Sequence, residues 1–133
     1  MILDTSAVMA VVLDEPGAER VLDAIVSAPA VKMSAATLVE LRAVIHRRLQ
    51  PQDVRRVERL LSVWQVQMVP LDEEQADEAS RAYRDFGRGS GHPAGLNLGD
   101  CFTYGLAAVA GEPLAYVGQD FVHTDVVAAV PSA

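Results

Sequence analysis

Apolar and polar residues alternate along this chain in two rhythms, which together predict strands separated by helices. Short apolar runs typical of buried strands lie at residues 1–4, 30–33, 66–71 and 113–117. Between these runs, apolar residues recur every three or four positions, which predicts helices at residues 7–13, 16–27, 35–49, 52–63, 73–86 and 98–111. This order indicates an α/β fold with a central, mostly parallel sheet and helices on both faces.

The residues at the predicted helix starts refine these boundaries. Thr5 or Ser6 is expected to cap the first helix, and Pro16 is expected in the first turn of the second. Ser34 or Ala35 is expected to open the third helix. The longest predicted loop is residues 87–97, which contain four glycines and a proline.

Composition restricts the class of protein further. A chain of 133 residues is expected to form one domain, residues 1–133. A single cysteine excludes an intramolecular disulfide and favours a reducing, cytoplasmic compartment. No apolar run approaches the ~20 residues that a membrane span requires, so no membrane partner is expected. The net charge of −7 argues against a plain basic surface for nucleic acid, unless several acids are gathered in a metal site.

Three aspartates lie where the strands of such a sheet end. Asp4 ends the first predicted strand, Asp120 follows the last one, and Asp100 lies in the first turn of the helix after the long loop. Ligands of parallel α/β sheets bind beyond the carboxyl ends of the strands, so the three carboxylates can face one crevice. Each aspartate alone also has a structural interpretation, as a helix cap, a complement to a helix dipole or a turn residue.

Glu40 is a fourth candidate for the same crevice. It lies mid-helix among small, mostly apolar neighbours, and no Lys or Arg stands three or four positions away. A buried carboxylate is costly unless it is paired or binds a metal, and the alternative is an ordinary exposed glutamate. Four acids without basic partners predict a divalent cation, for which all-oxygen ligands favour Mg²⁺ or Mn²⁺. Such a site activates water for phosphodiester hydrolysis.

Six of the eleven basic residues lie within 18 positions, on two consecutive predicted helices. Their functional interpretation is contact with RNA phosphates or with an acidic protein segment, and their structural interpretation is two solvated helix faces. These residues are Arg42, Arg47, Arg48, Arg55, Arg56 and Arg59.

An apolar stripe runs along the same two helices. It either lines a groove for a partner helix or belongs to the core of the domain. The stripe comprises Leu38, Leu41, Ile45, Leu49, Val57, Leu60 and Leu61.

Four acidic segments stand in a recognisable order over nearly the whole chain. Residues 1–7 contain Asp4 in Asp-Thr-Ser, and Glu40 lies in Leu-Val-Glu-Leu. Residues 92–102 contain Leu-Asn-Leu-Gly-Asp-Cys, the most specific of the four, and residues 118–121 are Gly-Gln-Asp-Phe. Together these segments resemble the PIN-domain proteins, in particular the VapC toxins of toxin–antitoxin pairs.

This resemblance implies a three-layer PIN-like fold and an endoribonuclease that hydrolyses RNA with water activated by Mg²⁺ or Mn²⁺. It also implies products with a 3′-hydroxyl and a 5′-phosphate. The family's catalytic acids correspond to Asp4, Glu40, Asp100 and Asp120. Of these, Asp4, Asp100 and Asp120 are the implied metal ligands.

The resemblance extends to neighbouring residues and to partners. Thr5, Ser6 and Thr103 are the hydroxyls expected beside the acids, and Asp125 is the alternative to Asp120 as the last carboxylate. A homodimer is implied, as is a cognate antitoxin that blocks the site. The six arginines above are then the expected contacts for RNA or for the antitoxin.

Two other classes of protein fit parts of the pattern. A non-catalytic PIN-like domain that binds RNA or protein would be indicated by the loss of an acid, but all four are present. A phosphoacceptor receiver domain needs a second acid beside Asp4 and a lysine after a late strand. Ile2, Leu3 and the single Lys32 supply neither.

Overall fold

Strands and helices alternate along residues 1–131, the part of the chain that the computed structural model describes. The strands are β1 (Ile2–Leu3), β2 (Lys32–Ser34), β3 (Gln67–Val69) and β4 (Leu114–Ala115). The helices are α1 (Thr5–Val12), α2 (Ala18–Ser27), α3 (Ala35–Arg48), α4 (Pro51–Val63), α5 (Glu73–Phe86) and α6 (Leu98–Ala110). Residues 132 and 133 of the predicted domain lie outside the described residues. Among the helices described, none is both long and apolar enough to cross a membrane.

The four strands form one parallel sheet in the order β3-β2-β1-β4. Strand β1 is central, because Ile2 pairs with Lys32 on one side and with Leu114 on the other. The prediction of an α/β fold with a parallel sheet is therefore confirmed. Residues that follow β1 and β4 emerge side by side at the carboxyl edge of the sheet.

Adjacent residues of β1 face opposite sides of the sheet, and each belongs to a different hydrophobic core. Leu3 is completely buried in a core to which α1, α2, α3 and α4 contribute. Ile2 is completely buried in a second core formed largely by α5, α6 and the loop before α6. Two cores on either side of one sheet give the three-layer arrangement that was expected.

The apolar stripe on α3 and α4 belongs mainly to the first core. Leu41, Ile45, Val57 and Leu61 are buried there, with Leu38 and Leu49 packed against them. The core interpretation of this stripe is therefore the one that the packing supports.

The boundaries of several elements differ from those predicted, most clearly at α1, α2 and β2. The cap of α1 is Asp4, not Thr5 or Ser6, because Asp4 has extended backbone and its carboxylate accepts the backbone N–H of Ser6. Pro16 precedes α2 rather than lying in its first turn, because Gly17 adopts φ 92°, a left-handed conformation that interrupts the helix. Strand β2 begins two residues later than predicted, at Lys32, and ends at Ser34. Ser34 caps α3, as one of the two alternatives proposed.

Candidate active site

Asp4 is held in a fixed orientation at the point where β1 turns into α1. Its Oδ2 accepts hydrogen bonds from the backbone N–H of Ser6 at 3.0 Å and from the Ser6 hydroxyl at 2.7 Å. Its Oδ1 accepts the hydroxyl of Thr103 in α6 at 2.8 Å. Asp4 is only 4% exposed, and these three donors fix the orientation of its carboxylate.

Two hydroxyls connect Asp4 to other parts of the fold. The Ser6 hydroxyl accepts the backbone N–H of Val117, just beyond β4, at 3.1 Å. The Thr103 hydroxyl lies 3.1 Å from the hydroxyl of Thr37 in α3. The carboxylate at the end of β1 is therefore tied to α1, α6 and, through Thr37, to α3.

Asp100 is held by the first turn of its own helix. The side chain of Asn97 accepts the backbone N–H of Asp100 at 2.8 Å, and the Asp100 carboxylate accepts the backbone N–H of Asn97 at 3.0 Å. This reciprocal capping box directs a largely buried carboxylate toward the crevice.

The environment of Asp100 disfavours its charged form. The pKa of Asp100 is raised from 3.8 to about 7, mainly by burial and also by the negative charges of Asp4, Asp120 and Glu40, against the lowering effect of the Asn97 backbone N–H. The other three acids that the sequence singled out therefore act on Asp100 through space.

Glu40 projects from α3 toward the same crevice as Asp4 and Asp100. Its Oε1 accepts the hydroxyl of Thr5 at 2.8 Å. Burial raises the pKa of Glu40, and the charge of Asp4 adds to that effect, while the Thr5 hydrogen bond opposes it. Glu40 is half-buried, so its interpretation as an ordinary exposed glutamate is wrong.

These side chains line one pocket of about 320 Å³ at the carboxyl edge of the sheet, called the acidic pocket below. A fifth acid, Glu15, also lines it, and Arg48 is the one basic residue among the described lining residues. The full lining is Asp4, Thr5, Ser6, Met9, Glu15, Glu40, Val44, Arg48, Asn97, Asp100, Val117 and Asp120.

The carboxylate oxygens in this pocket suit a hard divalent cation, although they do not lie close together. Carboxylate oxygens that repel one another are the ligands that Mg²⁺ and Mn²⁺ accept. Within residues 1–131, no group of three or more His, Cys, Asp or Glu side chains is arranged so that it could hold a metal ion. Coordination by three of them therefore requires side chains to move. Asp120, exposed on the segment after β4, has the most freedom to do so.

Asp125 and Cys101 are directed away from this pocket. The Asp125 carboxylate accepts the Tyr104 hydroxyl at 2.7 Å, and both residues line a different cavity beside the end of α6. The geometry thus brings Asp120, and not Asp125, to the other acids. Cys101 is completely buried and its thiol pKa is raised to about 11, mainly by burial, which is the behaviour of a core residue.

Of the six clustered arginines, only Arg48 reaches the pocket. Arg42 forms an ion pair with Glu58 at 2.8 Å, and Arg56 donates to the carbonyl of Val12 at 3.4 Å. All six are exposed on α3 and α4. Those other than Arg48 therefore remain candidates for a surface contact outside the pocket.

Four residues of the site escaped the sequence analysis. Thr37 and Asn97 act as hydrogen-bond partners, and neither residue type is distinctive in isolation. Glu15 was assigned only to a chain break, although it lines the pocket. Gly99 lies against Glu40, and the only available signal was its place in the Leu-Asn-Leu-Gly-Asp-Cys segment.

Comparison with known proteins identifies the family of this chain. Residues 1–127 match the family described as the PIN domain. The chain belongs to the PIN-domain family. It is also 51% identical over 126 residues to ribonuclease VapC42 of Mycobacterium tuberculosis, an alignment that covers 95% of this chain and 96% of the relative. The resemblance to VapC proteins expected from the motifs is thereby confirmed.

Solved structures support the same fold for this PIN domain. The sarcin-ricin loop cleaving toxin VapC20 of Mycobacterium tuberculosis superposes with a TM-score of 0.73, at 16% identity and covering 98% of each chain. A toxin–antitoxin complex from Klebsiella pneumoniae contains a chain with a TM-score of 0.69, at 16% identity, covering 95% of this chain and 93% of that one. The α/β PIN-like fold is confirmed by these matches.

Proposed function

We propose that this PIN domain is the ribonuclease toxin of a VapBC-type toxin–antitoxin system and hydrolyses RNA phosphodiester bonds with Mg²⁺ or Mn²⁺. The observation that carries the proposal is the pocket into which Asp4, Glu40, Asp100 and Asp120 project. The charges of Asp4, Asp120 and Glu40 help to raise the pKa of Asp100, which supports a site built for a cation. The name ribonuclease borne by a relative at 51% identity supports RNA as the substrate.

Each acid has a distinct part in this proposal. Asp4, Asp100 and Asp120 hold the ion, which when bound lowers the pKa of a water and stabilises charge on a phosphoryl oxygen. The hydrogen bonds from Ser6 and Thr103 keep Asp4 in one rotamer. Glu40 orients the attacking water or completes the ligand set.

The proposal is tested by cleavage of a panel of structured RNAs, after any copurifying partner has been removed. Wild type and Asp4→Ala are compared with Mg²⁺, Mn²⁺ and EDTA. We expect cleavage by wild type with either metal, loss in EDTA and loss in the variant. Cleavage that survives Asp4→Ala would place the chemistry elsewhere.

The alternative of a non-catalytic, RNA- or protein-binding PIN domain predicts a different result in the same assay. Wild type would then cut no RNA in the panel and would bind no divalent metal, although it would retain RNA or a protein. The presence of all four acids in one pocket favours the enzyme.

Inhibition by a cognate antitoxin belongs to the same proposal. A structural neighbour was solved as a toxin–antitoxin complex, which supports a protein partner for this fold. We expect a copurifying small protein to abolish cleavage when it is added back in equimolar amount. The exposed arginines of α3 and α4 are the proposed contacts for RNA or for the antitoxin.

Assembly, domain content and location also stay proposals. We expect light scattering on the partner-free protein to give about twice the 14.3 kDa of one chain, as for a homodimer. We expect residues 1–133 to unfold as one cooperative domain. A cytoplasmic location remains the prediction that the single cysteine favours.

A further inference from the structure

The carboxylate of Glu40 occupies the space that a side chain at position 99 would need. A Cβ atom built on Gly99 would overlap Oε2 and Cδ of Glu40 and would lie 3.0 Å from Oε1. Glu40 belongs to α3, whereas Gly99 lies in the first turn of α6, next to Asp100. The missing side chain of Gly99 therefore creates the gap in which the Glu40 carboxylate sits.

Backbone conformation does not explain a glycine at this position. Gly17, Gly95 and Gly111 have positive φ, a region that glycine adopts without strain, but Gly99 does not. Glycine in a helix is less favourable than alanine, because glycine loses more conformational freedom on folding. Gly99 instead allows a side chain of α3, Glu40, to approach the backbone of α6 closely.

The approach fixes Glu40 from two sides. Thr5 donates to Oε1, and the gap at Gly99 receives Oε2 against the first turn of α6. The positive end of the α6 dipole stabilises a carboxylate in this place. If the Glu40 side chain left this gap, its negative charge would move relative to the carboxylate of Asp100, the residue that follows Gly99.

We propose that Gly99 is a positioning residue, which holds the Glu40 carboxylate at the acidic pocket by leaving room for it. The proposal rests on the ribonuclease function proposed above for its kinetic consequence, but its packing consequence is independent of that function. Because the atoms in the way are the far end of a flexible side chain, Gly99→Ala is expected to fold and to shift Glu40.

A double-mutant cycle tests this coupling. Gly99→Ala, Glu40→Ala and the double variant are compared with wild type, and Leu98→Ala serves as the control at an exposed neighbouring position of α6. Thermal unfolding in EDTA measures packing, and steady-state RNA cleavage measures kcat and KM over a series of Mn²⁺ concentrations.

We expect Gly99→Ala in the wild-type background to lower kcat at least tenfold, to raise the Mn²⁺ concentration needed for half-maximal rate, and to leave KM for RNA unchanged. In the Glu40→Ala background the same substitution should change kcat less than twofold. It should also raise Tm by more than it does in wild type, because the collision is gone and alanine favours the helix.

Equal effects of Gly99→Ala in both backgrounds, in kcat and in Tm, would overturn the proposal. A tenfold loss of kcat in Leu98→Ala would also overturn it, because any change in this turn would then have the same effect. If wild type cuts no RNA, the ribonuclease proposal fails. The Tm cycle in EDTA then still decides whether Gly99 makes room for Glu40.

Discussion

The hydroxyl of Thr103 in α6 donates a 2.8 Å hydrogen bond to Oδ1 of Asp4 at the end of β1, across 99 residues of sequence. Thr103 is completely buried, and the same hydroxyl lies 3.1 Å from that of Thr37 in α3. The bond connects the residue that follows β1 to α6 and, through Thr37, to α3, at the acid that we propose as a metal ligand. A metal site needs such outer contacts, because they fix the orientation of its ligands.

Thr103→Val removes this hydroxyl with little change of shape. We expect the free energy of unfolding to fall by about 1–3 kcal/mol, because the buried Thr37 hydroxyl and Asp4 Oδ1 both lose a partner. We also expect weaker Mn²⁺ binding, of the order of 10–100-fold. Urea unfolding and calorimetry measure the two effects.

Thr103→Ser is the matched variant, since it keeps the hydroxyl and loses only the methyl group. We expect it to retain Mn²⁺ affinity within about threefold of wild type. If serine and valine weaken Mn²⁺ binding equally, the hydrogen bond to Asp4 has no part in the metal site.

The metal-free protein should lose stability as pH rises, because of Asp100. Its pKa is raised from 3.8 to about 7 in the fold, so folding favours the protonated carboxyl. This contribution is complete below the unfolded pKa of about 4 and is lost as pH rises through about 7. We expect wild type in EDTA to lose stability over this range relative to Asp100→Asn, which keeps the shape of the capping box. Thermal unfolding at pH 5 and pH 8 checks this expectation, and an equal change of Tm with pH in the two proteins would contradict it.

Asp120 and Asp125 offer a paired test of which residue supplies the last carboxylate. Asp120 lines the acidic pocket, whereas Asp125 accepts a hydrogen bond from Tyr104 beside another cavity. We expect Asp120→Asn to lower the cleavage rate at least tenfold and Asp125→Asn to change it less than twofold. If Asp125→Asn lowers the cleavage rate more than Asp120→Asn does, the last carboxylate is supplied by Asp125 instead.

Arg48 is expected to contribute to RNA binding rather than to the chemical step. It is exposed at the mouth of the acidic pocket, where a phosphate of the substrate would approach. We expect Arg48→Ala to raise KM for RNA several-fold, to leave kcat within about twofold, and to reduce the salt dependence of binding. Arg84→Ala, on the exposed face of α5 and paired with Asp85, is the control and should change neither constant.

The order of strands and helices could be predicted from the sequence because each element carries its own periodicity. The apolar pair Ile2–Leu3 indicates a buried strand, and the stripe through Leu41 and Ile45 indicates a packed helix. The predicted cap of α1, Thr5 or Ser6, was wrong because the Asp4 carboxylate accepts the backbone N–H of Ser6. Capping was one of the structural interpretations open for Asp4, and the sequence did not show that Asp4 both caps α1 and faces the other acids.

The acids themselves could be predicted, since strand ends identify Asp4 and Asp120, and the absence of basic partners identifies Glu40. Their supporting contacts could not be predicted. The gap at Gly99 and the hydroxyl of Thr37 depend on how α3 packs against α6, a long-range relationship that no local pattern records. Glu15, on the segment between α1 and α2, likewise carried no local signal of its place at the pocket.

The most direct test of the central claim is titration of the metal-free protein with Mn²⁺ by calorimetry, in the absence of RNA. A pocket in which the charges of three acids raise the pKa of a fourth, Asp100, should bind a divalent cation without any substrate. We expect saturable binding by wild type and by Leu98→Ala, and binding at least tenfold weaker in Asp100→Asn. Absence of binding in wild type, or equal affinity in Asp100→Asn, would contradict a metal site in this pocket.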